Sequence, residues 1–296
     1  MSDAPRHQRT IAAPVAVEGF GYWSGRDVRV EFRPAKEDVG IVFVRRDLDP
    51  VARIRATIEN QVETPRRTTL VRGDVRVEMI EHVMAALAGL RVDNCEVWID
   101  QSELPGCDGS AQAFVDALDQ TEIVELAAMR RRTVVQRVIR LGDDDSWIEA
   151  RPATDPTLGG GLSIDCRLDY GSASTIGRQR ITLSVTPQSF RDELAASRTF
   201  LLKHEAEMLL AQGLGTRVTS RDLLIFDEQG LLDNQLRFEN ECVRHKALDL
   251  VGDLSLGGCD LVGHVVAHRS GHRLNAELIR AVLSDQLAPQ ACLRSA

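Results

Sequence analysis

The sequence lacks several features that would mark a membrane or secreted protein. No apolar run approaches the roughly 20 residues that a transmembrane helix requires. The first ten residues, MSDAPRHQRT, contain no apolar segment of the kind found in secretory signals. The six cysteines include no CxxC pair, so we expect reduced thiols and neither a disulfide framework nor a structural zinc site. Together these absences predict a cytoplasmic protein.

The chain also contains few aromatic residues and carries a net negative charge. Aromatics make up 4% of the 296 residues, so the core must be built mainly from Val, Leu, Ile and Ala. The net charge of -8 argues against general nucleic-acid binding, which needs a basic surface. A small anionic ligand is still compatible, because a few local Lys or Arg side chains can outweigh a distant global charge.

The predicted secondary structure repeats along the chain. In each half, several strands precede a helix, a further strand and a second helix. The helical patterns cover residues 80–90 and 110–121 in the first half, and 239–256 and 272–287 in the second. This order predicts an α+β protein of two similar domains, each a β-sheet covered by two helices. We place these domains at residues 11–128 and 129–296, after a disordered tail over residues 1–10.

A polar stripe follows one face of the helix predicted over 239–256. His245, Asp249 and Asp253 are spaced at i, i+4 and i+8, which places all three on the same side. The plainer interpretation is a solvated face with a Lys–Asp pair. For an isolated HxxxD pattern, that interpretation would be correct more often than not.

The first half contains a second polar pair, Glu81 and His82, in the otherwise apolar segment MIEHVMAALAGL. A structural explanation is a partly buried histidine behind a glutamate that caps the start of the helix. Combined with His245 and Asp249, however, His82 completes a ligand set for a catalytic zinc that leaves one position for water. The same ligand types suit Fe(II). Glu81, beside one ligand, is placed to take a proton from the water.

The spacing of three other histidines suggests a second possible metal site. His264, His268 and His272 recur every four residues. We reject a three-histidine site, because GHVVAH is typical of a strand and Ser270-Gly271 of a turn. His272, between this turn and the last helix, is the one that could point into a cleft.

Five segments stand out along the chain: IEHVMAALAGLRVDN, DGSAQAFV, SRTF, RFENECVRHKALDLVGDL and SGHRLN. In this order they resemble the signature segments of the UDP-3-O-acyl-N-acetylglucosamine deacetylases of lipid A biosynthesis, and the resemblance covers roughly residues 12 to 285. The resemblance implies two α+β domains whose helices are sandwiched between the two sheets, each domain with a small insert and the metal between the domains.

The resemblance also implies roles for the residues around the metal. His82, His245 and Asp249 would bind Zn²⁺, with Fe²⁺ as the alternative metal. Glu81 would be the general base. His272 would be cationic, stabilising the oxyanion and protonating the leaving amine.

Further residues are assigned to the catalytic step and to the substrate by the same resemblance. Asp253 would orient the cationic histidine, and Thr199 would donate a hydrogen bond to the oxyanion. Phe200 would contact the substrate, and Lys246 would meet its diphosphate. The pair Asp169-Tyr170 would hold the uracil.

The chain departs from the family pattern at three places. Trp23 and Ser146 stand where the family usually shows His and Lys, and Gly106-Cys107 where a larger apolar residue is usual. These changes affect the expected nucleotide affinity and a glycine-rich loop, while the proposed metal ligands are intact.

The implied reaction is hydrolysis of the N-acetyl group of a UDP-sugar that carries a 3-O-acyl chain, with release of acetate. We expect a monomer that binds the acyl chain in an apolar passage around residues 200–214. Two alternatives stay open: a non-catalytic relative that binds nucleotide sugar or lipid without turnover, and an Fe(II) oxygenase.

Overall fold

A computed structural model describes residues 5–153 and 161–292 of the chain. The helices are α1 (Glu81–Gly89), α2 (Gln112–Leu118), α3 (Pro187–Ser189), α4 (Lys203–Ala211), α5 (Glu241–Ser255) and α6 (His272–Cys292). The strands are β1 (His7–Ile11), β2 (Val15–Phe20), β3 (Asp27–Pro34), β4 (Ile41–Arg45), β5 (Ala52–Arg55), β6 (Gln61–Val62), β7 (Thr69–Arg72), β8 (Val75–Glu78), β9 (Cys95–Ile99), β10 (Ile123–Met129), β11 (Arg132–Val134), β12 (Ile139–Gly142), β13 (Trp147–Arg151), β14 (Leu162–Asp169), β15 (Arg178–Ser184), β16 (Phe200–Leu202), β17 (Leu224–Phe226) and β18 (Asp260–His268).

The first large sheet has five strands in the order β2-β3-β9-β4-β5. Its pairs are antiparallel except for β4 with β9. On β3 the apolar side chains of Val28, Val30 and Phe32 are buried and the residues between them are partly exposed. This alternation directs one face of the sheet into the core, as the period-2 pattern of the sequence predicts.

The second large sheet belongs to the later half of the chain. Its strands follow the order β12-β13-β18-β14-β15, and β11 pairs in parallel with β18. Strand β18 also lies parallel to β14 and antiparallel to β13. Each half of the chain therefore builds one mixed sheet, which confirms the α+β class.

Helices α1, α2, α5 and α6 lie between the two large sheets. Helix α1 packs against α5, α2 packs against α1 and β2, and α5 and α6 pack against strands of the second sheet. One continuous cluster of buried hydrophobic residues joins the two halves. The close approach of α1 and α5 brings the two polar segments singled out in the sequence into one region.

Each half also carries a small insert. In the first half, β6, β7 and β8 form a three-stranded antiparallel sheet, and Gly73-Asp74 is the turn between β7 and β8. In the second half, β16 and β17 pair in parallel around α4. These inserts are the parts of the fold that flank the candidate site described below.

The expectation of a disordered tail over residues 1–10 is wrong for residues 7–10. His7–Ile11 forms β1, which pairs with β10. Arg6 extends this anchor, because its guanidinium donates to Asp93 at 2.6 Å and to Asp260 at 2.7 Å. The backbone of this segment is therefore paired with β10, and the charge of Arg6 is shared between the carboxylates of Asp93 and Asp260. Residues 1–4 of the predicted tail, and residues 154–160 and 293–296 of the predicted second domain, lie outside the described residues.

Over the described residues, none of the helices combines the length and the apolar character that a bilayer-spanning segment needs.

Candidate active site

Three buried side chains converge where α1 meets α5. His82 is the second residue of α1, while His245 and Asp249 lie one turn apart on α5. One ligand atom from each residue can be chosen so that all three lie within 4.8 Å of one another. Nε2 of His82 and Nε2 of His245 are 3.7 Å and 3.5 Å from Oδ1 of Asp249. The stripe on α5 is thus a buried cluster, and its interpretation as a solvated face is wrong.

The carboxylate of Asp249 shows what this cluster is suited to hold. Its Oδ2 accepts a hydrogen bond from Nζ of Lys246 at 2.8 Å. Its Oδ1 is buried and has no hydrogen-bond partner among the described residues. Burial alone would raise the pKa of this carboxyl, but His245 and Lys246 outweigh it and hold the pKa well below its usual range. An ionised oxygen left without a partner at a histidine pair fits a divalent cation.

The two imidazoles are prepared to act as neutral ligands. Burial lowers the pKa of His82 to about 3 and also lowers the pKa of His245. Nδ1 of His245 lies 3.2 Å from the backbone carbonyl of Ser197, which can only accept a hydrogen bond. The Nδ1–H therefore points to that carbonyl and leaves the lone pair of Nε2 for the cluster, an arrangement typical of metal-binding histidines.

Glu81 lies beside the cluster, at the first residue of α1. Its carboxylate accepts a hydrogen bond from the backbone amide of Thr68, with N and Oε2 2.9 Å apart. Burial raises the pKa of Glu81 to about 7, against the opposing charge of His272. A carboxyl whose pKa lies near neutrality can both accept and return a proton.

His272 begins α6 on the other side of the same cleft. Nδ1 of this histidine lies 2.9 Å from Oδ2 of Asp253, which is buried on α5. Burial alone would lower the pKa of His272, but the charge of Asp253 and the hydrogen bond to it outweigh burial. Asp249 and Glu81 act in the same direction, and the pKa rises to about 9. At neutral pH the cleft thus contains a cationic imidazole close to a carboxylate.

A cleft of about 570 Å³ connects these groups. Its wall includes nine of the eleven site residues predicted from the sequence: Glu81, His82, Tyr170, Thr199, Phe200, His245, Lys246, Asp249 and His272. Asp253 is not on the wall, since it lies behind the cationic histidine. The fold therefore brings nine residues predicted from distant segments of the chain to one cleft.

Asp169 is the predicted residue that the structure does not bring to the cleft. Its carboxylate accepts from the backbone amide of Gly171 at 2.8 Å and from Nε of Arg178 at 3.0 Å. The neighbouring Tyr170 does reach the cleft, where its ring meets Phe200 edge-on at 6.0 Å between centroids. The phenyl ring in turn meets His245 at 6.4 Å.

The wall of the cleft has an apolar part and a cationic part. The apolar part combines residues of the second insert with residues of the first half, namely Tyr22, Trp23, Met79, Leu201, Leu209, Leu210, Leu214, Val218, Leu223 and Ile225. The cationic part consists of Arg269 and Arg273 on either side of His272, while Arg66, also on the wall, pairs with Glu205 of α4 at 3.0 Å. Within residues 200–214, where the sequence predicts an apolar passage, Leu201, Leu209, Leu210 and Leu214 line this wall, whereas the apolar residues Leu202 and Met208 do not.

The residues that depart from the family pattern have definite places. Trp23 lies on the cleft wall, with the guanidinium of Arg67 4.5 Å above its ring. Ser146 also reaches the wall, and its hydroxyl donates to the carbonyl of Arg269 at 3.0 Å. Gly106 packs so closely on the ring of Tyr22 that a Cβ there would overlap it. A larger residue at position 106 would require this ring to move.

The comparisons with known proteins agree with each other. The sequence model of the family described as UDP-3-O-acyl N-acetylglycosamine deacetylase matches residues 8–284. A protein of Photobacterium profundum is 36% identical over 284 residues, which cover 95% of this chain and 91% of that protein. One from Anaeromyxobacter dehalogenans is 37% identical over 283 residues, covering 95% and 89%. One from Brucella ovis is 35% identical over 284 residues, covering 95% and 97%. Each of the three is named UDP-3-O-acyl-N-acetylglucosamine deacetylase.

Proposed function

Since the chain belongs to the UDP-3-O-acyl-N-acetylglucosamine deacetylase family, we propose that the cleft between α1, α5 and α6 carries out the reaction of that family. The protein is a deacetylase of lipid A biosynthesis that hydrolyses the N-acetyl group of its UDP-sugar substrate. The observation that carries the assignment of the cleft is the convergence of the His82, His245 and Asp249 cluster with Glu81 and His272.

The metal is proposed to be Zn²⁺, with Fe²⁺ as the alternative. His82 and His245 would bind it through Nε2, and Asp249 through the oxygen that has no partner among the described residues. When bound, a cation of this kind supplies Lewis acidity, which polarises an amide carbonyl and acidifies water. Lys246 would keep the second oxygen of Asp249 engaged, so that one oxygen faces the metal.

Glu81 and His272 divide the proton transfers of the hydrolysis between them. Glu81 accepts a proton from the attacking water as its oxygen adds to the amide carbon. His272 stabilises the negative charge that develops on the carbonyl oxygen and then donates a proton to the amine, without which the C–N bond breaks slowly. Thr199, on the same wall, donates a hydrogen bond to that oxygen, and such a preorganised donor typically contributes on the order of 3 kcal/mol.

The apolar and cationic parts of the wall suit different parts of the substrate. The 3-O-acyl chain lies along the apolar part and passes Phe200, whose ring meets that of the ligand His245. The diphosphate lies near Arg269, Arg273 and Lys246. Tyr170 contacts the uracil, while Asp169 supports the turn that follows Tyr170.

We also propose that the chain divides into domains at residues 11–128 and 129–296, with the site formed at their interface. The protein is proposed to work as a cytoplasmic monomer.

The decisive experiment measures acetate release from UDP-3-O-acyl-N-acetylglucosamine together with metal content, before and after chelation. We expect one metal per chain, acetate release by the metal-loaded protein, and loss of both on chelation with recovery on Zn²⁺ addition. Binding of the UDP-sugar without acetate release would instead favour a non-catalytic relative. Oxygen consumption by the Fe²⁺-loaded protein would favour an oxygenase.

A further inference from the structure

Thr68 contacts both halves of the proton-transfer machinery. It lies immediately before β7 and is only 2% exposed. Its backbone amide donates to Oε2 of Glu81 at 2.9 Å, and its carbonyl accepts from the amide of Ile80. Its hydroxyl oxygen is 2.6 Å from Oδ1 of Asp253 and 3.0 Å from Nδ1 of His272.

The chemistry of these partners fixes the direction of each hydrogen bond. The carboxylate of Asp253 can only accept, so the single hydroxyl proton of Thr68 goes to its Oδ1. Nδ1 of the cationic His272 carries a proton, which points to Oδ2 of Asp253 and to the hydroxyl oxygen of Thr68. Two acceptors, Asp253 and Thr68, thus hold Nδ1 of His272 in place, and Nε2 is the nitrogen left for the cleft.

A third donor completes the surroundings of Asp253 without touching the catalytic pair. Nδ2 of Asn275 donates to Oδ2 of Asp253 at 2.9 Å. Asn275 has no hydrogen bond to Glu81 or His272 among those of the described residues. Thr68 differs from Asn275, because Thr68 binds Glu81 through its backbone amide and Asp253, the partner of His272, through its hydroxyl.

We infer that Thr68 is a positioning residue that holds Glu81 and His272 at a fixed separation across the cleft. The inference rests on the proposed function, since it assumes that these two residues exchange protons with one substrate. Glu81 comes from α1 in the first half and His272 from α6 in the second, so their relative placement depends on contacts between the halves. The hydroxyl of Thr68, which comes from the first half, makes such a contact with Asp253 and His272 of the second half.

The chain offers a matched control at the next position. Thr69 is buried, follows Thr68 directly, and has a hydroxyl without a hydrogen-bond partner among the described residues. Thr68→Val and Thr69→Val therefore make the same chemical change one residue apart. Only the first removes hydrogen bonds. Thr68→Ser keeps the hydroxyl and provides the conservative variant.

The test compares kcat, KM and metal content of the three variants with wild type. Loss of a buried hydrogen bond to a charged group, with a small displacement of the acid, should lower kcat about 10- to 100-fold in Thr68→Val. KM should stay within about twofold, because Thr68 does not line the cleft, and metal content should stay at one per chain. Thr68→Ser should recover kcat to within about threefold of wild type, and Thr69→Val should match wild type.

A second measurement does not depend on turnover or on whether Thr68→Val folds. In the NMR spectrum of the Zn²⁺-loaded wild type, the hydroxyl proton of Thr68 and the Nδ1 proton of His272 should exchange slowly with water and show a cross-peak to each other. If kcat of a folded Thr68→Val is near wild type, if Thr68→Ser loses as much as Thr68→Val, or if the cross-peak is absent, the inference is overturned. An inactive wild type that shows the cross-peak would instead count against the proposed function alone.

Discussion

Gly252 of α5 lies directly against the backbone carbonyl of Glu81 on α1. A Cβ at position 252 would overlap this carbonyl oxygen and would lie 3.1 Å from the amide nitrogen of Ala85. The two helices that supply the ligand cluster can therefore approach each other this closely only because residue 252 has no side chain. The glycine lies between Asp249 and Asp253, so the contact sits at the centre of the site.

Gly252→Ala should push α1 away from α5. Because overpacking a tight contact typically costs about 1–3 kcal/mol, we expect the free energy of unfolding to fall by that amount. Metal affinity should also fall, since His82 moves relative to Asp249. Thermal or urea unfolding and a metal-competition titration would measure both effects. Unchanged stability and affinity would show that the helices can adjust without cost.

His245→Ala should remove most of the bound metal, because it takes away one of three ligands from two distant segments of the chain. His264→Ala is the matched control, since that ring contacts Ser163 on the second sheet and lies outside the cluster. Metal analysis after dialysis should give about one metal per chain for wild type and control. Full metal content in His245→Ala would refute the ligand assignment. Binding should also weaken in acid, because the ligands must be deprotonated.

Glu81→Gln should bind metal and substrate but lose turnover, because an amide cannot take a proton from water. The amide oxygen can still accept the hydrogen bond from the Thr68 backbone, so the local structure should persist. We expect kcat to fall by about 10²- to 10⁴-fold, the range typical of general acid–base catalysis. Steady-state kinetics and metal analysis would check this, and a near wild-type rate would remove Glu81 as the base.

The pH–rate profile should be bell-shaped, with its maximum between about pH 7 and 9. Activity should rise as Glu81 loses its proton, since its pKa is raised to about 7. It should fall again as His272 loses its proton, since its pKa is raised to about 9.

Asp253→Asn should move the alkaline limb of this profile to lower pH. The carboxylate favours the cationic form of His272, so its removal lowers that pKa, by about 1 to 3 units for a close charge. Asp165→Asn removes a carboxylate outside the cleft and should leave the limb in place. An alkaline limb that does not respond to Asp253→Asn would count against the pairing of these residues.

Phe200→Ala should reduce the preference for acylated substrate. Each methylene of the acyl chain that is buried against the apolar part of the wall contributes about 0.8 kcal/mol, so a long chain should raise kcat/KM by orders of magnitude. The measurement compares kcat/KM for substrates with and without the acyl chain. Met208→Ala is the control, because this residue of α4 is 53% exposed and not on the wall. Equal turnover of both substrates by wild type would exclude an acyl passage.

The sequence alone determined the helices α1, α2, α5 and α6 and the candidate chemistry. Residues at i, i+4 and i+8 on α5 share a face whatever surrounds the helix, so His245, Asp249 and Asp253 could be grouped before any fold was known. Glu81 and His82 stood out because they interrupt an apolar pattern. The same local periodicity assigned His264 and His268 to a strand, which the structure confirms as β18.

Only the tertiary structure decided which residues support these groups. Thr68 carries no sequence signal, and the SRTF segment does not reveal that the carbonyl of Ser197 faces His245, because a backbone amide or carbonyl exists at every position and its use depends on what packs beside it. The apolar wall formed by Tyr22 and Met79 with the second insert joins segments more than 100 residues apart. Asp169 followed a family pattern, yet its carboxylate turns to Arg178. Periodicity fixes the face of an element, while the partner of that face is set by long-range packing.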